Sequence, residues 1–456
     1  MLKSKSALLG IALASVLAGP AIAQKAKKAD PVDLVPQSIT PIPEEPTPPP
    51  ASPPKPGAMP APAPVAVVPV PPLPAPKWTA GDASALLAVI RGVDARGLNP
   101  VDYDPDALQA AIAAGEGVPL NEIATKSFTK LLVDLRDGRT PYAARIQWFV
   151  KDTDADTFPT DAMLQKALAS HDFEAVFAEV EPTHPDYAAL KAALAKTRDV
   201  TQRNIIRTNM ERWRWLPHDL GQRYVHVNVP EYEVRVVGKG KNIATYRAIV
   251  GAPKTATPQL SETAIGMIIH PTWTIPQSII RESVGALIAN NPAAARARGY
   301  TWTGSGKNLS VVQKFGPGNS LGAMKMDMPN PHAIFLHDTP SKGLFNQPMR
   351  ALSHGCIHTD RAIEFAILMS ILQADFDPHE AANLFKRGLN DRIPFTTPVQ
   401  VYINYFTMAS KGDGKLNSFA DVYGRDAPVI ASFSKPREDK VASPPPVVVP
   451  IEAPGA

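Results

Sequence analysis

The sequence predicts an α+β protein in which a helical scaffold domain, residues 78–208, precedes a mainly antiparallel β domain, residues 209–430. Three observations carry the prediction. Apolar residues recur at three- and four-residue spacing from Trp78 to about Thr208, the period of one face of a helix. After Trp215-Leu216-Pro217 they alternate with polar residues, as on a strand with two unlike faces. Prolines, 49 in a chain of 456, crowd toward both ends, where they favour extended chain without a core.

The first 23 residues read as an export signal. Lys3 and Lys5 precede the apolar run Ala7 to Leu17, the breaker Pro20 and the small residues Ala21-Ile22-Ala23, the pattern a signal peptidase cleaves. That run is short and alanine-rich, a poor membrane span, so no membrane span is expected after cleavage, with an uncleaved anchor as the alternative. Residues 24–77 form a proline-rich tether with Pro48-Pro49-Pro50, and residues 431–456 a tail with Pro444-Pro445-Pro446. In the scaffold, Leu86, Ile90 and Val93 share a face, with Asp82 expected to cap the helix and Gly97 to end it. Phe128, Leu131, Leu132 and Leu135 repeat the pattern up to Gly138. Tyr187, Leu190 and Leu194 follow, then Ile206, Met210 and Trp213.

In the β domain, Val225, Val227 and Val229 alternate with His226 and Asn228, and Val234 and Val236 flank Arg235. Further strands are expected at 246–250, 265–270, 334–337 and 399–405. A helical insertion between Ser278 and Gly299 is placed to lie over a groove, and another helix is expected from about Asp360 to Leu372.

Composition excludes some functions. Basic and acidic side chains, 47 against 43, leave a formal charge of +4, and no dense basic stripe marks the chain for nucleic acid. The single cysteine excludes an internal disulfide, and none follows the signal to carry a lipid. Asp152, Asp154 and Asp156 have calcium-loop spacing, but Thr157 replaces the turn glycine and Met163 the closing glutamate. No cofactor is called for.

The chemistry gathers at two short segments. His337-Asp338-Thr339-Pro340 ends an expected strand and precedes Ser353-His354-Gly355-Cys356-Ile357-His358 by a short loop. A thiol attacks as thiolate, so it needs a base or a positive field beside it. Imidazole can take the proton and return it to a leaving amine. Gly355 frees the backbone to expose Cys356 and to aim N–H groups at an oxyanion. The helix expected after His358 would bring a positive dipole end to the thiol. The set suits acyl transfer through a thioester. Two other readings are open. Cys356 could be a small buried hydrophobe, against which stand its glycine and two histidines. Alternatively His354, Cys356 and His358, on one side of a strand, could hold zinc for a peptidase, although such tight alternation rarely gives tetrahedral geometry.

At these residues the sequence resembles the L,D-transpeptidase catalytic domain, in the large periplasmic class with a helical scaffold. His337 followed by Ser353-His354-Gly355-Cys356-Ile357 matches that family's signature. So do Asn209-Met210-Glu211-Arg212-Trp213-Arg214-Trp215, Pro271-Thr272-Trp273, Gly316-Pro317-Gly318-Asn319, Met328-Pro329-Asn330 and Arg350, in family order. The resemblance implies Cys356 as nucleophile and His337 as its base. It implies an oxyanion hole from backbone near His354, Gly355 and Cys356, and a site shaped by Ser353, His354 and Arg350. The implied reaction expels the terminal D-alanine of a peptidoglycan tetrapeptide stem and passes the acyl group to another stem, giving a 3→3 crosslink in the periplasm. Outer-membrane proteins or water could be acceptors of the same thioester, carbapenems should acylate it, and a non-catalytic wall-binding protein is the rival of another class. Two departures stand out. His358 replaces the family's usual arginine as a substrate-orienting group, and the scaffold has no room between Leu194 and Arg203 for an inserted peptidoglycan-binding module.

Overall fold

The computed structural model describes residues 75–151, 154–411 and 413–438. The expected signal, most of the tether and the tail beyond residue 438 lie outside the described residues. Scaffold helices run Ala80–Arg91, Pro105–Ala114, Val118–Asp137, Thr160–Ser170, Phe173–Val180, Pro185–Lys196 and Val200–Arg214. The first is capped by Thr79, whose hydroxyl accepts Asp82 N at 3.0 Å. Asp82 is not the cap as expected; one turn in, its carboxylate is buried and holds His171 Nδ1 at 2.7 Å. The helix also stops sooner than expected, at Gly92, and Val93–Arg96 form a 3-10 turn that Gly97 closes at φ 76°. Gly138 ends the Val118–Asp137 helix as expected. Leu86, Ile90, Phe128, Leu131 and Phe177 share one core with Trp78, which stacks on Phe173 at 5.3 Å. Each such burial is worth about 1.5–3 kcal/mol.

The β domain is a sheet that closes on itself. From Gln259–Ile269 its neighbours run Asp391–Asn404, Arg223–Asn228, Glu233–Gly238, Lys241–Gly251, Ile357–Thr359, Leu336–His337 and Met324–Asp327. The last pairs back onto Gln259–Ile269, with Lys325 opposite Ile268. Closure satisfies backbone groups that an open edge would expose. Most pairs are antiparallel, but Asp391–Asn404 runs parallel to Arg223–Asn228, and Leu336–His337 parallel to Ile357–Thr359. The strand expected at 334–337 shortens to two residues, and Met324–Asp327 adds a strand the sequence reading passed over.

Val225, Val227, Val234, Leu336, Ile357 and Val401 fill the interior with Phe365 and Met369 of helix Ala362–Gln373. The polar side of the Val225–Asn228 alternation does not meet water: His226 and Asn228 are buried too. The His226 ring lies 6.5 Å from Trp213 of the scaffold, and Asn228 bonds both N and O of Phe406. The insertion is helical from Gln277 to Ala297 apart from Asn291, and its small sheet joins Trp273–Thr274, Ser310–Gln313 and Tyr300–Thr303. Ile275, Ile280, Val284, Ile288 and Val311 give it its own core.

Candidate active site

Sheet register brings the two chemical segments together. Leu336 pairs with Ile357 and His337 with His358, while Ile357 N donates to Phe335 O at 3.1 Å. Leu336 and Ile357 are fully buried and point inward. Because side chains alternate along a strand, Phe335, His337, Cys356 and His358 project from the opposite face. The His337 and His358 rings lie 4.5 Å apart.

His337 Nδ1 sits against the backbone carbonyl of Asp338. A carbonyl can only accept, so this contact assigns the proton to Nδ1 and leaves Nε2 as the basic nitrogen. Asp338 is fixed in turn: its Oδ2 accepts Ala323 N at 2.9 Å and its Oδ1 pairs with Lys342. Gly322, at φ +62°, leaves room for that carboxylate.

The turn carrying the thiol is braced from several sides. Ser353 Oγ donates to Cys356 O at 2.6 Å and accepts Gly355 N at 3.1 Å. Ser353 O accepts Ala252 N and Thr255 Oγ1, and Gly355 O accepts Thr257 Oγ1 at 2.7 Å. Gly355 holds φ +117°, which an L side chain rarely adopts. Its N–H, expected to face an oxyanion, is taken by Ser353. The N–H groups of His354 and Cys356 meet no acceptor among the described residues.

Arg350 shapes the site from behind. Its guanidinium donates to the carbonyls of Ala248, Gln347 and Tyr232 at 3.0–3.2 Å and lies over the Tyr232 ring. His354 turns outward, where Nε2 meets Glu282 Oε2 of the insertion at 3.1 Å. Both side chains are more than half exposed, so this link adds little stability. With His354 on Glu282 and His358 against His337, the three residues of the zinc reading point to different partners. Among the described residues no group of three His, Cys, Asp or Glu is placed to hold a metal.

Electrostatics differ from the sequence expectation. Cys356 is half-buried, its Sγ 3.6 Å from Ala333 O. Burial pushes its thiol up to about 11, against opposing pulls from a Phe335 backbone hydrogen bond and the Lys325 charge. Burial, then neighbouring His358, hold His337 well below the usual histidine value. Burial also takes His358 down to about 4. The resting site therefore holds a thiol and neutral imidazoles. The helix expected directly after His358 starts only at Ala362, because strand Ile357–Thr359 and a two-residue turn intervene.

Lys325 is the residue sequence reasoning missed. It pairs with His337 across the sheet, and its Nζ lies 4.2 Å from the Phe335 ring centroid. Its signal was the alternation Met324-Lys325-Met326-Asp327-Met328, a strand pattern five residues long.

Residues 222–386 match the L,D-transpeptidase catalytic domain, and residues 74–194 match a scaffold domain. A Haemophilus influenzae protein named for L,D-transpeptidase activity is 27% identical over 248 residues, covering 51% of this chain. The chain spans 50% of that relative's length. Solved L,D-transpeptidases of Mycobacterium smegmatis and Enterococcus faecium align at 14% identity over 40% and 41% of this chain. They are covered over 58% and 52% of their own lengths at a TM-score of 0.21, too low to bear on the site.

Proposed function

Because the chain belongs to the L,D-transpeptidase family, we propose that it remodels peptidoglycan by acyl transfer through Cys356, with His337 as the base. The observation that carries this reading is the pairing of strands Leu336–His337 and Ile357–Thr359. It sets thiol and imidazole on one face, with the imidazole held by the Asp338 carbonyl. The thiol leaves the Ala333 carbonyl and gives its proton to His337 Nε2 as Sγ attacks the carbonyl preceding the terminal D-alanine of a tetrapeptide stem. The N–H groups of His354 and Cys356 receive the oxyanion. His337 then protonates the departing amine of D-alanine, leaving a thioester. A side-chain amine of a second stem, deprotonated by the same imidazole, attacks the thioester and restores the thiol, giving a 3→3 crosslink.

Since the thiol is buried at a high proton affinity, transfer to His337 accompanies attack and no preformed ion pair is needed. Export to the periplasm by the first 23 residues belongs to the same reading.

Two measurements test it. A carbapenem should add covalently to the wild type and not to Cys356→Ala, read by intact mass; an unmodified wild type overturns the thiol-enzyme reading. Purified tetrapeptide muropeptides should yield crosslinked dimers. Tripeptide monomers alone would turn the acyl acceptor from a stem amine to water, and protein-linked muropeptides would turn it to a protein amine.

A further inference from the structure

The four-residue strand Met324–Asp327 closes the sheet between Leu336–His337 and Gln259–Ile269. Met324 and Met326 are fully buried in the core, so Lys325 and Asp327 project from the other face. That face also carries Phe335, His337, Cys356 and His358. Lys325 begins opposite His337, and its ammonium reaches over the Phe335 ring at 4.2 Å. Phe335 in turn neighbours Cys356, since Ile357 N bonds its carbonyl. The lysine thus crosses the middle strand toward the cysteine.

Among the described residues its ammonium forms no ion pair, and Asp327 attracts it only at longer range. Asp327, two residues on, gives its carboxylate to Arg392 at 2.7 Å. Asp338 is taken by Lys342 and Ala323 N. Among the described residues no carboxylate lies within ion-pair distance of Lys325. A half-buried ammonium in this state costs stability. It is paired only with the ring face, a contact worth about 0.5–2 kcal/mol. The ionisable group that acts on it most strongly is the Cys356 thiol, ahead of Asp327, and its sulfur turns negative during the reaction.

We infer that Lys325 is a positioning residue of this site, whose ammonium holds the negative charge that forms on Cys356 Sγ. The inference rests on the reading of Cys356 as nucleophile. The same charge also disfavours protonated His337, so the imidazole stays a neutral base at rest and gives its borrowed proton readily to the leaving amine. No extra proton is needed: it passes from Sγ to Nε2 to the amine, and Lys325 stays charged throughout. The other charged or titrating groups around the thiol are His337, His358, the His354–Glu282 pair, the Asp338–Lys342 pair and the Asp327–Arg392 pair. The Asp338–Lys342 and Asp327–Arg392 pairs each carry their own compensating charge, whereas His354 offsets Glu282 only when protonated.

The lone cysteine makes the test clean, because alkylation of the full chain reports Cys356 alone. The pH midpoint of alkylation by iodoacetamide is measured for wild type, Lys325→Met and Lys325→Arg. Loss of the charge should raise the midpoint in Lys325→Met by on the order of one pH unit, about tenfold in thiolate fraction at fixed pH. Lys325→Arg should remain near wild type. A merely structural role gives the opposite sign, because loosened packing admits water and relieves the burial that holds the thiol proton. An unchanged or lowered midpoint in Lys325→Met overturns the inference, as does an equal rise in Lys325→Arg. Should Lys325→Met not fold, Lys325→Gln removes the same charge and is held to the same outcomes. Carbapenem acylation of the wild type separates the two readings. If it fails, the acyl-transfer reading falls; if it succeeds and the midpoint stays put, only the role of Lys325 falls.

Discussion

Replacing Gly322 by alanine pushes a methyl group into the carboxylate of Asp338. The added Cβ would lie 2.4 Å from Oδ2 and 2.5 Å from Cγ, distances real side chains do not show, at a backbone φ of +62°. The left-handed conformation alone costs about 1–2 kcal/mol for an L residue. Asp338 must also retreat from Ala323 N, now 2.9 Å away, and a hydrogen bond to a charged group is worth about 1.5–3 kcal/mol. Together these predict a loss of about 3–5 kcal/mol, which for a domain of this size lowers the melting temperature by about 10 °C. The functional loss has a separate cause. The Asp338 carbonyl orients the His337 ring, and displacing a base by about 1 Å costs about a hundredfold in rate. The assay pairs a thermal melt with the second-order rate of carbapenem acylation, measured well below the melting point. Asp338→Asn is the control, since it keeps the backbone carbonyl and an acceptor for Ala323 N, and it should acylate close to wild type. A Gly322→Ala protein that melts and acylates like wild type would refute the argument that this turn places the base.

Two further outcomes follow from the same geometry. Ser353→Ala removes the hydroxyl that joins Cys356 O to Gly355 N; acylation should fall by about tenfold or more and stability by about 1–2 kcal/mol, read by chemical denaturation. Stability should also drop in mild acid. His358 falls from 6.5 to about 4 on folding, and a base lowered in the folded state contributes stability above 6.5 that is lost as pH falls through about 4. His226 and His337, lowered by burial as well, act in the same direction. The melting temperature should therefore decline between these pH values, and His358→Phe should flatten the decline; parallel slopes in the two proteins would refute the assignment.

What could be read from sequence was whatever a single element decides. The Val118–Asp137 helix shows its buried stripe and its terminal glycine in the residues themselves, and Cys356 with His337 stands out as a candidate pair because few residue pairs can do thiol chemistry. Misreadings arose where two elements meet. Asp82 looked like a cap, but Thr79 precedes it and His171, far along the chain, claims its carboxylate. The alternation of His226 and Asn228 with valines marks a strand, but only the fold shows that the scaffold covers its polar face. The dipole argument omitted the three-residue strand between the thiol and the helix. Lys325 was invisible for the strongest reason: its place opposite His337 exists only once the sheet has closed.

The segment Asn209 to Trp215 shows how far from the thiol the support of this site begins. In sequence it looked like the opening of the catalytic domain. In the fold it lies buried, and its polar side chains face inward. Glu211 accepts Thr140 N and pairs with Arg214 at 2.7 Å, while Arg214 also meets Tyr187 OH at 2.9 Å. Burying such charges is tolerable only when they are paired, and these bonds tie the helix to the scaffold, although Arg212 Nη2 and Arg214 Nε meet no acceptor among the described residues. On the other side Asn209 bonds Thr407 and Arg212 pairs with Asp426 at 2.6 Å, which holds the segment after the last strand of the closed sheet. Within that segment Asp421 accepts Tyr405 OH and the N–H groups of Arg425 and Asp426. Tyr423 reaches across to Gly251 O and Thr257 N, and Thr257 Oγ1 donates to Gly355 O. Each contact is an ordinary hydrogen bond or ion pair. What they achieve jointly is to fix Gly355 at φ +117°, an angle an L side chain rarely adopts, between the N–H groups of His354 and Cys356, which meet no acceptor among the described residues.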